Sequence, residues 1–370
     1  MSEPKVILYG ASGYTGKLVA AQLAVRQIPF IAAGRNAKRI EQEMAKLPEL
    51  RGADYQIAEV STDVEALAKL FSGKTLVYNT VGPMMQLAAP IVEAALKSTC
   101  HYFDSSGEQD WTLHFEKTWG KAFKEKGLTA VPCMSMMWAS GNLAAELVLE
   151  TAGIDTLDIL YVPLGSSPSV ASTLSFLRMC CQPQYKLVNN ELVDWPPATT
   201  YQAVAPGTHE VLTCLPWSGG AEPIWYASHS SVRNCKVLVS FGSPEHMERT
   251  ANLTREFREK WADKSPEEQE RATNEMGHIM TTQEPPRDDP NISRTIVSCH
   301  GRGPTQSASA VLWGYCGYDQ TGEIAASVVQ RVLAGKLIGK GFQSPAGAFG
   351  AHNLLRDWSE CGLVEAKVSS

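Results

Sequence analysis

The chain reads as an α/β protein: a doubly wound parallel sheet, then a second α+β domain carrying a mixed or antiparallel sheet. Three observations predict this. Over about the first 130 residues, short apolar runs alternate with stretches of helical period, the pattern of parallel strands covered by helices on both faces. A glycine-spaced turn, Gly10-x-x-Gly13-x-x-Gly16, joins the first strand to the first helix. Beyond about residue 140, strand-like runs are separated by long Pro-, Ser- and Gly-rich stretches, which suits an α+β arrangement.

Lys5–Tyr9 (KVILY) is a buried strand, and Leu18, Val19 and Leu23 give the next segment a helical stripe. Phe30–Ala33 is a second strand, closed by Gly34-Arg35-Asn36, with a helix over 37–46. Tyr55–Val60 is a third strand, Asp63–Leu70 a helix, and Leu76–Val81 a fourth strand stopped by Gly82-Pro83. A helix over 88–97, a fifth strand His101–Asp104, a helix over 111–126 and a sixth strand Leu128–Pro132 follow. Right-handed crossovers make such a sheet doubly wound, a Rossmann arrangement.

In the second part, 142–151 is helical, and Leu157–Val162, Glu210–Cys214, Lys236–Phe241, Thr295–Cys299 and Ala310–Tyr315 are strands. Residues 254–276 carry charges of both signs. Within them Ser265-Pro266-Glu267-Glu268 is a helix start: Ser as N-cap, Pro at the first helical position, Glu at the capping-box position. The region reads as a solvated helix face, or else as a lid or dimer arm. Ile324, Val328, Val329, Val332 and Leu333 form the stripe of a late helix, with a further helix over 350–361 and a strand Leu363–Val368. The expected division is a cofactor domain over 1–140, a substrate and dimerisation domain over 141–340, and a segment 341–370 packing back on the first domain.

Composition narrows the partners. The 370 residues are 44% hydrophobic and 19% charged, enough apolar surface to offset the ordering entropy that keeps other chains disordered. A net charge of −6 argues against nucleic acid. No apolar run approaches the roughly 18–20 residues of a membrane span. The N-terminus, Met1-Ser2-Glu3-Pro4-Lys5, runs straight into a strand, so a cytoplasmic protein without stable membrane insertion is expected. Nine cysteines are scattered without a C-x-x-C and read as reduced thiols. None of the eight histidines pairs with Cys or a carboxylate at ligand spacing, so no metal site is expected.

A glycine turn between strand and helix is the context in which such a loop binds a dinucleotide. Gly10 allows the tight turn, Gly13 lets the backbone approach the pyrophosphate, and Gly16 lets helix and strand pack closely. The backbone of Ser12, Tyr14 and Thr15 completes the loop, and the helix N-terminus offers free N–H groups to phosphate. An NAD enzyme places a carboxylate at the end of the second strand. Here stand Gly34, Arg35 and Asn36, with Lys38 and Arg39 behind, and a guanidinium selects a 2′-phosphate. NADP is therefore expected, with Arg35 as main contact. Thr80, Val81, Gly82 and Pro83 after the fourth strand, and Ser105 and Ser106 in the turn Ser105-Ser106-Gly107-Glu108 after the fifth, should line the nicotinamide half of the cleft.

VILYGASGYTGKLVAAQL, AAGRN, VYNTVGPM and HYFDSSGE, in that order, resemble the saccharopine dehydrogenase-like oxidoreductases. The clear resemblance covers 5–110, with an echo in GYDQTGEIAASVV and SPAGAFG at 315–365. It implies an NAD(P)-dependent oxidoreductase, in a family that includes enzymes of secondary amines and enoyl reductases of lipid synthesis. The family often continues after the sixth strand with a Gly-Phe-Asp-Ser-type turn. This chain has Cys133-Met134-Ser135-Met136-Met137-Trp138 instead, which disfavours a charged, amino-acid-like substrate. Short-chain dehydrogenases share the glycine-rich start but usually need Tyr with Lys four residues on, and none of the eleven tyrosines has it.

Met84, Met85, Met136, Met137 and Trp138 lie near expected strand ends and could line an apolar pocket, although such residues also build cores. Phe176, Met179, Trp217 and Trp225 could join them. Ser105, Ser106, Tyr78, Ser135 and His229 are conceivable proton donors, and no residue is assigned as catalytic. The leading expectation is a homodimeric NADPH-dependent reductase acting on a conjugated C=C of a small apolar substrate. The alternatives are a saccharopine-type dehydrogenase acting at a C–N bond and a non-catalytic NADP-binding regulator.

Overall fold

The computed structural model describes residues 3–229 and 231–369. Met1 and Ser2, at the head of the N-terminal stretch, lie outside them. The chain forms two compact units and passes between them several times. The first holds the chain through Ser106, His114–Met136 and Tyr318–Cys361; the second holds Gly107–Leu113, Met137–Gly317 and the chain from Gly362.

In the first unit the six expected strands are β1 (Val6–Tyr9), β2 (Phe30–Gly34), β3 (Tyr55–Glu59), β4 (Leu76–Asn79), β5 (His101–Asp104) and β6 (Thr129–Val131). They pair in parallel in the order β3-β2-β1-β4-β5-β6. An unexpected two-residue strand, Gly341–Phe342, extends the sheet beyond β6. Val6, Ile7 and Leu8 of central β1 are wholly buried, which is why its sequence is continuously apolar. The strand order reverses between β1 and β4, and such a switch point opens a crevice at the strand carboxyl ends.

The late helix Gly317–Leu333 packs on helix Tyr14–Val25. A Cβ at Gly322 would lie 2.8 Å from the Leu18 carbonyl oxygen, Tyr318 meets Tyr14 edge-on at 4.9 Å, and Arg26 pairs with Glu323 at 2.5 Å. Arg331 grips Asp357 of helix Ala351–Glu360, and Trp358 donates to Ser327 Oγ. The return to the first unit thus begins at Tyr318, not at residue 341, and it stops at Cys361. The last strand, Val364–Ser369, pairs with the second sheet, because its cross-strand partners lie there.

The second unit contains β7 (Thr156–Leu164), β8 (Tyr185–Val188), β9 (Glu191–Asp194), β10 (Tyr201–Val204), β11 (Val211–Cys214), β12 (Asn234–Val239), β13 (Arg294–Arg302) and β14 (Ser307–Tyr315). Its mixed sheet runs Val364–Ser369, β14, β13, β7, β12, β8, β9, with only β7 and β12 parallel. The hairpin β10–β11 covers one face, Ala205, Leu212 and Cys214 packing on Leu160, Val162 and Ile296. The charged stretch forms helices Pro244–Trp261 and Pro266–Met280, and Ser265 and Glu268 make the expected capping box. Helix Val170–Cys180, which the sequence pattern did not reveal, packs against them through Leu177, Cys180 and Phe257. Eight cysteines are buried, Cys361 is exposed, and none of the nine is in a disulfide among the described residues. Among the described residues no helix is long and apolar enough to cross a membrane.

Candidate functional site

The glycine turn is built as the sequence asks. Gly10 has φ +88°, and a Cβ there would come within 2.7 Å of Thr80 Oγ1 and Val81 Cγ2. The loop after β4 therefore lies directly against the turn, and Thr80 Oγ1 donates to the Tyr9 carbonyl at 3.0 Å. A Cβ at Gly16 would lie 2.2 Å from the Gly10 carbonyl oxygen, so only glycine lets the helix start so close to β1. Gly13 is the N-cap; no side chain caps the helix and no acid stands in its first turn. The partial positive charge of this helix end suits an anion. Ser12 and Thr15 are half-buried and Tyr14 is buried against Tyr318. The cradle fits a dinucleotide pyrophosphate.

At the end of β2, Arg35 is exposed. Asn36 is the N-cap of helix Ala37–Met44, its side chain accepting from Arg39 N, so its side-chain oxygen is engaged by the helix. A carboxylate that sequence spacing missed, Glu59, accepts from Ala37 N at 2.7 Å. Only the parallel pairing of Gly34 with Glu59 reveals it, and its bonded oxygen serves the helix start.

The loops after β4, β5 and β6 are joined by a buried polar network. Asn79 donates to the Tyr102 hydroxyl at 3.1 Å and accepts from Val81 N at 3.0 Å. Tyr102 donates to Asp104 Oδ2, while Asp104 Oδ1 accepts from Ser106 N and Cys133 N. Asp104 thus ties down the loops after β5 and β6, and Asn79 the loop after β4. Gly82 is half-buried, as are Thr80, Val81 and Ser105, whereas Pro83 and Ser106 are buried.

The donor candidates separate here. Tyr78 is wholly buried and donates to the Met134 carbonyl; burial, with Asp104 nearby, pushes its phenol well above the ordinary value. It is a core residue. Ser135 is buried, and His229 is exposed beside Ser231 at 2.9 Å.

The apolar candidates divide between the units. Met84, Met85 and Met136 belong to the first, with Met84 and Met136 buried and Met85 exposed; Met137 and Trp138 belong to the second. Trp138 is core rather than pocket lining: its ring stands edge-on to Tyr161 at 5.0 Å, and its Nε1 donates to the Gly107 carbonyl. Glu108, the last residue of the turn after β5, is buried in the second unit. It pairs with Arg178 at 2.6 Å and accepts from Ser175 Oγ. Asp110 pairs with the same guanidinium at 2.7 Å. Burial works against the Arg178 charge, but the two carboxylates outweigh it and raise its pKa.

The second unit also holds a buried acid that sequence reasoning passed over. Glu222 Oε1 lies 2.7 Å from the Tyr161 hydroxyl, which accepts from Gly141 N at 2.7 Å and donates to the Trp138 carbonyl at 2.9 Å. A hydroxyl has one proton to give. The Trp138 carbonyl and Glu222 Oε1 both stand as acceptors of that one proton. Burial pushes its pKa up to about 8, with the Tyr161 bond a lesser opposing effect.

Residues 6–131 match the saccharopine dehydrogenase NADP binding domain, and the cofactor of this domain is NADP. A "lipid droplet localized protein" from Caenorhabditis elegans is 30% identical over 139 residues, covering 35% of this chain and 33% of the relative. A "trans-acting enoyl reductase" from Mycobacterium leprae is 32% identical over 108 residues, covering 28% and 25%. The chain matches about a third or less of the length of these curated relatives. The solved apo saccharopine dehydrogenase (L-Glu forming) from Saccharomyces cerevisiae aligns over 100% of both chains with a TM-score of 0.61 at 14% identity, a likeness of fold. Residues 139–370, more than half of the chain, match a family of unknown function, DUF5938; the protein belongs to that family and carries a saccharopine dehydrogenase-type NADP-binding domain ahead of the matched region.

Proposed function

We propose that this protein is an NADPH-dependent reductase that saturates a conjugated C=C in an apolar small molecule. The observation that carries the cofactor choice is the end of β2, where exposed Arg35 follows Gly34 while Asn36 and Glu59 serve the next helix. The enoyl-reductase name of one relative and the lipid-droplet name of another support an apolar, unsaturated substrate. In this reading the first-turn amides of helix Tyr14–Val25 hold the pyrophosphate and Arg35 holds the 2′-phosphate. The loop Thr80–Pro83 and Ser105–Ser106 line the nicotinamide side, their course set by Asn79 and Asp104. NADPH held there would supply a hydride for the β-carbon, with the α-carbon protonated from solvent.

The test is NADPH consumption, followed at 340 nm, over enones, enoyl thioesters, ketones and imines. Turnover with the first two classes is expected. Consumption confined to imines or 2-oxo acids would overturn the reading in favour of C–N chemistry. A folded protein that binds NADPH and consumes none would favour a regulatory role.

A further inference from the structure

The mixed sheet of the second unit ends on an open edge. Strand Val364–Ser369 pairs with β14 on one side. On its other side no strand pairs with it among the described residues. The outer row of backbone N–H and C=O groups of such a strand is a template for one strand more. We propose that this edge is a homodimer interface, where Val364–Ser369 pairs antiparallel with the same strand of a second copy about a twofold axis at Ala366.

The strand's own sequence selects both the partner and the register. It reads Val364-Glu365-Ala366-Lys367-Val368-Ser369, with opposite charges and two valines placed symmetrically about Ala366. Antiparallel pairing centred there sets Glu365 opposite the partner's Lys367, and Lys367 opposite the partner's Glu365. Val364 likewise meets the partner's Val368. Residues directly opposite share a face, with Cβ atoms about 4.5–5.5 Å apart, and opposite charges and β-branched pairs are stabilising there. Both charged side chains are well exposed, 74% for Glu365 and 69% for Lys367, and they approach each other along the strand only to 3.8 Å. Pairing with a second copy replaces that loose contact with two cross-strand ion pairs.

The apolar side of the strand points the same way. Ala310 and Leu312 of β14 are buried, and their cross-strand neighbours are Val368 and Ala366. Val368 is nonetheless 52% exposed, so the buried face of the sheet runs out uncovered at this edge. The partner's Val364 would cover it. A lysine on an edge strand ordinarily blocks pairing with other chains; here each lysine meets a glutamate, so the charge admits this one partner and register. The opposite edge of the sheet provides the contrast. β9 carries Glu191 and Asp194 at its two ends, and self-pairing there would set acid against acid. Because the contact at Ala366 is isologous, it closes after two chains. It lies within the second unit and does not depend on the proposed reduction.

Sedimentation equilibrium of the full chain over about 1–200 µM tests this. A six-residue ladder is a small contact, and small contacts hold reversibly, so the unmodified chain is expected to show a monomer–dimer equilibrium. Glu365→Lys sets lysine against lysine, and Lys367→Glu sets glutamate against glutamate. Each should raise the dimer dissociation constant by about fivefold or more. The double variant E365K/K367E restores opposite charges at both places and should dimerise as the unmodified chain does. An equimolar mixture of the two single variants should form a heterodimer, because every facing pair is then opposite in sign. Both rescues need folded chains, so misfolding of a variant does not imitate them. An unmodified chain that stays monomeric over the whole range would overturn the proposal. So would single variants that dimerise unchanged, or a double variant and a mixture that associate no more tightly than the single variants alone.

Discussion

Arg35→Ala is the sharpest perturbation of the cofactor site. Arg35 is exposed on the turn after β2, immediately after Gly34. A charge-assisted hydrogen bond contributes about 1.5–3 kcal/mol, and about 1.4 kcal/mol is tenfold in affinity. Solvent screening at an exposed position, with Lys38 and Arg39 still nearby, places the effect toward the lower end. NADPH binding should therefore weaken about 10- to 50-fold, while NADH, which lacks the 2′-phosphate, should change by less than about twofold. Calorimetric titration of both nucleotides measures the two losses directly. Repeating it at 0.5 M salt should narrow the wild-type preference, because the Debye length falls well below its roughly 10 Å at 0.1 M. Equal losses for NADPH and NADH, or a loss below about threefold for NADPH, would refute Arg35 as the phosphate contact.

Gly16→Ala places a methyl 2.2 Å from the Gly10 carbonyl oxygen and should reduce NADPH affinity at least tenfold and lower Tm; Gly107→Ala, with open space around its Cβ, should leave Tm nearly unchanged. Gly322→Val pushes against the Leu18 backbone from behind the phosphate-binding helix, so Tm and NADPH affinity should fall together, and a change in neither would contradict the packing of the late helix. Arg178→Met strands Glu108 and Asp110 without their cation and should cost about 3–5 kcal/mol in urea unfolding; a loss below about 1 kcal/mol would mean the pair is solvated. Glu222 binds its proton more tightly folded than unfolded, its pKa rising from 4.5 to about 8. Its contribution to stability is fully present below about pH 4.5 and is lost as pH rises to about 8, by at most about 1.4 kcal/mol per pH unit. Glu222→Gln should flatten that slope in denaturation series at pH 5, 6, 7 and 8; parallel curves would show that the acid is not held neutral.

The cofactor half was legible because its strands are buried on both faces. Val6–Tyr9 and Leu76–Asn79 are buried at every position, so they read as unbroken apolar runs, and the glycine turn between strand and helix has a distinctive spacing. The second half was harder for identifiable reasons. Strands β8 and β9, YKLV and ELVD, bury only Leu187 fully, and helix Val170–Cys180 mixes Ser and Thr into its apolar stripe. Both look like loop in sequence. The capping box at Ser265 and Glu268 was visible because it is local. The pairing of Glu108 with Arg178 joins residues 70 positions apart, and no spacing rule reaches that far. Trp138 had the opposite difficulty: position near a strand end suggested a pocket, but its partners Tyr161 and Gly107 place it in a core.

The course of the chain explains why the two halves carry such different sequence signals. The first unit is closed by the late helix and by Gly341–Phe342 beside β6, and Thr129 Oγ1 donates to the Gly339 carbonyl, 210 residues on. Most of the second unit, Met137–Gly317, is therefore an excursion between β6 and that closing stretch. Loop-closure entropy rises only logarithmically, about 0.6 kcal/mol per doubling of length, so a long excursion adds little to the cost of bringing these elements together. The cofactor half can then keep its glycine turn and strand order while the excursion takes on a different sheet and core. The matches divide along the same line: the NADP-binding domain covers 6–131, and DUF5938 covers 139–370. Under the proposed function, a change of substrate would fall in the excursion, while the glycine turn at Gly10, Gly13 and Gly16 and the end of β2 at Arg35 would keep to the same cofactor.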